Sequence, residues 1–209
     1  ADGDGVWDGK TRRPARPGDI LILVRGRTGG LFDAIIKALK REGLPVAGAD
    51  RIDLLDSLPV QDCLNLIRFA LCPEDDLTLA EILTGPFGGL NEDEHLFELA
   101  YGRANESLWT RVQNSGDSKI QAAASFLSQC LDRRDLPAFE FLLYALEHPV
   151  QDDKTGWDLI QTRLGSPARE PVTALLDRAA AFDAQGAPSL QLFLDAVERG
   201  DVEPEPASK

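Results

Sequence analysis

Residues 19–50 read DILILVRGRTGGLFDAIIKALKREGLPVAGAD, and the hydrophobic period changes twice within them. Ile20, Leu21, Ile22, Leu23 and Val24 form an apolar run of strand length, bounded by Pro17-Gly18 and Gly26, which reads as a strand buried on both faces. From Leu31 the apolar residues recur every three to four positions, through Phe32, Ile35, Ile36 and Leu39. Lys37, Lys40 and Arg41 complete the polar face and last turn of this helix, and Gly43 is placed to stop it. Leu44, Pro45, Val46 and Ala47 read as a second, shorter strand. A single strand-helix-strand unit belongs to a parallel sheet and cannot stand as a fold. The chain is therefore expected to be a piece of a larger protein, and the lack of methionine, even at position 1, agrees.

Outward from this stretch the sequence changes character. Residues 1–17 are polar and broken by Gly3, Gly5, Pro14 and Pro17, so a flexible lead-in is expected. Beyond Arg51 the chain reads as helices only. Ser57 caps and Pro59 opens a helix carrying Val60, Leu64, Ile67 and Leu71 until Pro73. Asp75 or Asp76 caps the next, with Leu77, Leu79, Ala80 and Leu83, which Gly85-Pro86 ends. Asn91 caps a helix whose apolar face is Leu96, Phe97, Leu99 and Ala100. Further helices are expected over 106–112, 118–132, 136–147, 155–164, 167–183 and 189–198, with start signals at Asp117 or Ser118, Asp135, Thr155, Ser166 and Ser189. Residues 201–209 read as a frayed tail. The organisation expected is thus a lead-in (1–17), a partial α/β unit (18–51), a helical domain (52–200) and a tail.

Composition bounds the function classes. The 209 residues include 43% hydrophobic ones, enough for a sizeable core. No apolar run has the length of a membrane helix, no secretory leader is recognisable, and three cysteines with two histidines support neither disulfides nor a zinc site. A cytoplasmic setting is expected. Net charge is −13, yet residues 10–51 carry ten basic and four acidic side chains, which leaves −19 on the rest. This asymmetry points weakly to an anion-facing edge on an acidic body.

The glycine-rich turn Arg25-Gly26-Arg27-Thr28-Gly29-Gly30 follows a strand and precedes a helix, where backbone N–H groups can cradle phosphate. It lacks the Gly-Lys-Ser/Thr of a P-loop and is not GxGxxG, so an ordinary loop outweighs a nucleotide site, while Arg25 and Arg27 retain a claim on a nucleic-acid backbone. His95 and His148 have no partner at metal-ligand spacing, and the acids at 74–76 and 152–153 read as caps and solvated faces. No nucleophile elbow, HExxH or triad grouping occurs. Trp109, Trp157 and the phenylalanines read as core.

The order GDILILVRGR, then LFDAIIKALKREGLPVAGADRIDLLD, then VQDCLNLIRFALCPEDDLTLAEILTGPFGGLNEDEHLFELA resembles UvrD/Rep-type superfamily 1 DNA helicases between their NYRS-type and TVHxAKG-type motifs. The resemblance covers residues 17–101. It is closest to the AddA component of AddAB helicase-nucleases, particularly the alphaproteobacterial form, and extends loosely through SLQLFLDAVERG. It implies a mainly α fold: a multi-helix 2B-like helicase subdomain with a short N-terminal strand-helix-strand piece of the RecA-like 2A domain. It further implies a non-catalytic part of an ATP-dependent 3'-5' DNA helicase in double-strand break repair. ATP and Mg would belong to the parent, with no cofactor in this segment. The implied partners are single-stranded and possibly duplex DNA and an AddB-like protein, and no membrane.

Residue by residue, Arg25 matches the family's Tyr-Arg-Thr-Asn segment that meets single-stranded DNA, and Arg27 replaces its Asn. The candidate nucleic-acid-binding residues are Arg25, Arg27 and Thr28, with Gly88 and Gly89 at the place of the duplex-contacting Thr-Arg-Gly-Ile-Gly turn. Phe87-Gly88-Gly89-Leu90-Asn91 lacks the Arg and second Gly of that turn, and Glu92, Asp93 and Glu94 follow it. Walker A, Walker B and nuclease motifs are missing, so neither ATP hydrolysis nor unwinding is expected of this segment. The rival reading is a protein interaction module that docks the AddB-like partner without touching DNA.

Overall fold

A computed structural model describes residues 5–8, 11–16, 19–22, 34–35, 38–39, 41–42, 44, 54–102, 106–186 and 189–199. The chain divides into two compact units, Ala1–Ile52 and Asp53–Lys209.

In the first unit the polar start is not a loop throughout. β1 (Gly5–Asp8) pairs antiparallel with β2 (Thr11–Pro14), with Trp7 opposite Arg12 and Val6 opposite Arg13. Of the expected strand 20–24, Leu23 and Val24 fall outside the described residues. Ile20, Leu21 and Ile22 lie in no strand and are 69%, 81% and 48% exposed. An apolar run acquires strand geometry only where neighbouring strands take up its backbone hydrogen bonds, and β1–β2 is the only sheet among the described residues of this unit. Residues 34–35, 38–39 and 41 are helical, within the helix expected there. Leu44 is in no strand, and Pro45, Val46 and Ala47 fall outside the described residues.

The second unit is almost wholly helical. After a 3-10 turn (Leu54–Asp56) come α1 (Leu58–Leu71), α2 (Asp76–Thr84), a π-turn (Glu92–Leu96) running into α3 (Phe97–Ala100), α4 (Leu108–Gln113), α5 (Ser118–Leu131) and α6 (Ala138–Glu147). A two-stranded hairpin, β3 (Pro149–Gln151) and β4 (Lys154–Thr155), precedes α7 (Gly156–Leu164), α8 (Arg169–Asp183) and α9 (Leu190–Arg199). Its turn is made by Asp152 and Asp153 at φ 48° and 60°, a left-handed conformation that Asp tolerates better than most residues. This hairpin corrects the reading of the chain beyond Arg51 as helices only.

α1 is the hub. Val60, Leu64, Leu66, Ile67 and Phe69 are fully buried, so apolar groups occupy more than one stripe, as a helix enclosed by others requires. It packs against α2, α5, α8 and α9. Its one strongly polar edge is satisfied internally. The Arg68 guanidinium donates to Asn65 Oδ1 (2.7 Å), Gln61 Oε1 (3.0 Å) and Glu198 Oε1 (2.9 Å), while Asn65 Nδ2 donates to Glu81 (2.9 Å).

Most helix starts follow local signals. Asp75, Asn91 and Asp117 accept two backbone N–H groups each, and Thr155 forms a capping box with Asp158. Two starts do not. Ser57 sits at its cap position without a side-chain bond. For α6 the acceptor is not Asp135 but Asp183, whose carboxylate takes the N–H groups of Ala138 (3.2 Å) and Phe139 (2.8 Å). Because Asp183 ends α8, one side chain both caps α6 and fastens two packed helices. Asp183→Ala is expected to cost about 1–2 kcal/mol, the upper range for a cap, measured by urea unfolding. Asp135→Ala should stay within about 0.5 kcal/mol of the parent.

Candidate nucleic-acid interface

Of the five residues singled out by sequence, Arg25, Arg27 and Thr28 lie outside the described residues. Within the basic segment, the described Arg13 already has a partner. Its guanidinium donates two hydrogen bonds of 2.7 Å to the Asp19 carboxylate, which also accepts the Arg16 backbone N–H at 2.8 Å. These bonds, that from Arg13 foremost, hold the Asp19 carboxyl well below the usual carboxylate range.

Gly88 and Gly89 sit side by side with opposite surroundings. Gly88 is buried, and a Cβ there would lie 2.2 Å from the Leu83 carbonyl oxygen and 2.4 Å from Leu83 Cα. Its lack of a side chain lets the turn close onto the end of α2. Gly89 is exposed at φ 61°. The turn's N–H groups are largely used: Gly88 donates to Ile82 O (3.1 Å), Gly89 to Gly85 O (2.9 Å) and Leu90 to Leu83 O (2.9 Å). Asn91 N–H donates to His95 Nδ1 at 3.2 Å. Gln151, in β3, donates from Nε2 to Phe87 O (3.0 Å) and Gly88 O (2.7 Å). Sequence offered no sign of this clamp, because its parts are more than sixty residues apart. Phe87 is buried and stacked on Phe126, with ring centroids 5.7 Å apart. What the turn presents outward is therefore Gly89 and Asn91 and then the exposed Glu92, Asp93 and Glu94.

Titratable groups elsewhere serve packing. Burial pushes the Cys130 thiol up to about 12 and the Cys63 thiol higher, so both are inert thiols. Among the described residues no group of three or more His, Cys, Asp or Glu is placed to hold a metal ion, and no helix is long and apolar enough to cross a membrane. His148 packs against Tyr144 at 4.0 Å between ring centroids, the planes tilted by 35°.

Asp62, on α1, is the exception among the acids. Burial is the main cause that raises its carboxyl to about 6, Arg163 opposes the rise and Glu81 adds to it. Since the folded-state value lies above the unfolded one, protonation favours the fold. The contribution is complete below about pH 4 and is lost as pH rises through 6. Asp62→Asn is expected to raise stability at pH 8 by about 1 kcal/mol, allowing for solvent screening of a partly exposed group, and by almost nothing at pH 4. Paired urea titrations at the two pH values test this.

The described residues of 54–199 thus define a helical module, attached in sequence to a basic segment. No protein-family model matches the chain. Over 95% of its length it is 28% identical to an ATP-dependent helicase/nuclease, the A component from Latilactobacillus sakei, of which it spans 24%. Proteins of the same name from Lactobacillus delbrueckii (25% identical, 16% of that protein) and Levilactobacillus brevis (28% identical, 17%) also match over 95% of the chain. The chain spans about a sixth to a quarter of the length of these curated relatives. Its homologues are therefore ATP-dependent helicase/nucleases of the AddA kind, which supports the UvrD-like family read from residues 17–101.

Proposed function

We propose that the chain is a non-catalytic, positioning segment of an AddA-like, ATP-dependent 3'-5' DNA helicase of the alphaproteobacterial type, acting in cytoplasmic double-strand break repair. Similarity along 95% of the chain to helicase/nuclease proteins of which it spans at most a quarter carries this reading. ATP and Mg would bind elsewhere in the parent, and an AddB-like protein would be its partner. In this reading the helical unit is the 2B-like insertion, residues 18–51 belong to the RecA-like 2A domain, and Arg25, Arg27 and Thr28 meet the phosphate backbone.

The test is binding of the 209-residue chain to a forked DNA across a salt series. Binding should weaken steeply with salt, and Arg25→Ala/Arg27→Ala should lower the log–log slope by about 2, one phosphate contact per arginine. No binding at low salt, or an unchanged slope in the double variant, would sink the DNA contact. That outcome favours the second reading, an interaction module without DNA contact. It has its own support in the turn at Phe87–Asn91, where Gly88 is buried, the backbone donors are engaged and three exposed carboxylates follow.

A further inference from the structure

We infer that the face carrying Phe97 and Tyr101 docks a basic, apolar segment of a protein partner. This goes beyond the positioning role above and does not depend on the parent's being a helicase. Sequence placed Phe97 on the inner face of its helix, together with Leu96, Leu99 and Ala100. Instead Phe97 is 59% and Tyr101 72% exposed, while Leu99 is buried. Two residues along a helix amount to about 200° of rotation, so a face that buries Leu99 turns Phe97 to solvent. Leu96 N–H donates to Asn91 O and Phe97 N–H to Glu92 O, five residues back rather than four. This π-turn lies immediately before the helix that carries Phe97. Such turns carry a cost in hydrogen-bond geometry and are found disproportionately at functional sites.

The two rings do not lie loose. They stack on each other, 5.4 Å between centroids and 24° between planes, which fixes both in advance of binding. Among the described residues the charges flanking them on this helix are acidic. Glu92, Asp93, Glu94 and Glu98 are all exposed, and among the described residues none of the four carboxylates takes part in an ion pair or accepts a side-chain hydrogen bond. Glu94 and Glu98 neighbour Phe97 and Tyr101 along the helix surface. Beside them a cleft of about 520 Å³ is lined by Glu98, Glu106, Asp117 and His95, with Arg111 the one arginine or lysine among its described lining residues. Arg111 is itself engaged, by Glu106 at 3.9 Å and the Glu98 carbonyl at 3.3 Å.

Charge chooses the occupant. A nucleic-acid strand stacking on the two rings would bring phosphates against four carboxylates, and among the described residues the one arginine beside them, Arg111, is already engaged. A second copy meeting this face across a two-fold axis would set the same carboxylates against each other. A segment with lysine or arginine flanking an aromatic or aliphatic anchor meets both features: the anchor covers the rings, and a cationic head reaches the carboxylates or the cleft.

The experiment uses the 209-residue chain and four probes. These are a labelled peptide with lysines and arginines around a Trp-Leu pair, the same peptide with glutamate at each basic position, a single-stranded oligonucleotide, and the chain itself by sedimentation. The basic peptide is expected to bind, more weakly as salt rises. Its affinity should fall at least tenfold in Phe97→Ala/Tyr101→Ala and several-fold in Glu94→Gln/Glu98→Gln. All four positions are exposed, so the variants should melt with the parent, which a thermal scan checks. The inference is overturned if the basic peptide does not bind, if it binds the aromatic variant equally, or if the acidic peptide binds as well. It is also overturned if the oligonucleotide, or a dimer of the chain, depends on Phe97 and Tyr101.

Discussion

Gly88→Ala is expected to destabilise the helical unit by about 3 kcal/mol or more, with a fall of roughly 10 °C in Tm. The added methyl would stand 2.2 Å from the Leu83 carbonyl oxygen and 2.5 Å from its carbonyl carbon. These are backbone atoms in the last turn of α2, where Leu83 is fully buried, so no side chain can swing aside. Relief requires moving the turn, which would break the bonds from Gly88 N–H to Ile82 O and from Leu90 N–H to Leu83 O. Gly89→Ala supplies the control. It has φ 61° but meets nothing closer than Gln151 Oε1 at 3.5 Å, so it should cost only about 1 kcal/mol. Equal costs for the two alanines, measured by urea unfolding, would contradict the close approach at Gly88. If Gly89 meets DNA, as the resemblance implies, its variant would lose fork affinity while keeping most of its stability, the reverse of Gly88.

Phe87→Ala is expected to cost about 4 kcal/mol, because the ring is fully enclosed and the cavity cannot collapse easily. It stacks on Phe126 with planes 10° apart, and a Cβ at Gly156 would lie only 3.0 Å from its edge. The ring therefore joins the turn to α5 and to the start of α7. Phe87→Leu should recover roughly half of the loss, since most of the buried volume returns without the aromatic stack. A Phe87→Ala variant less than about 1 kcal/mol below the parent would mean that the turn is not anchored in the core. The prediction bears on function too: a turn held by a buried ring, a glycine contact and the Gln151 amide is rigid on its inner side, which leaves its outer residues preorganised for whatever they meet.

Much of the helical unit was legible because its information is local. Asp75, Asn91, Asp117 and Thr155 each stand immediately before an apolar period, and each caps as a short polar side chain at that position should. Pro73, Gly85-Pro86 and the left-handed Gly165 end helices by backbone chemistry that needs no partner. The candidate site was legible in smaller part. Gly88 and Gly89 were marked as a pair, but nothing in two adjacent glycines says that one is buried against α2 and the other open to solvent.

The sequence by itself determined where the helices of 58–199 lie, what starts and stops most of them, and that the charge is divided between a basic segment and an acidic remainder. Periodicity and capping act within a few residues, so one chain suffices to read them. Only the tertiary structure decided that Asp183 caps α6, that Asp76 receives the Leu108 N–H at 2.8 Å, and that Gln151 closes over the Phe87–Asn91 turn. Each of these bonds joins residues more than thirty positions apart. It also decided the π-turn at Glu92–Leu96 and the outward face of Phe97 and Tyr101. Which side of the segment after Asn91 is buried rests on what packs against it, here α2 and α4, and local propensity does not encode that.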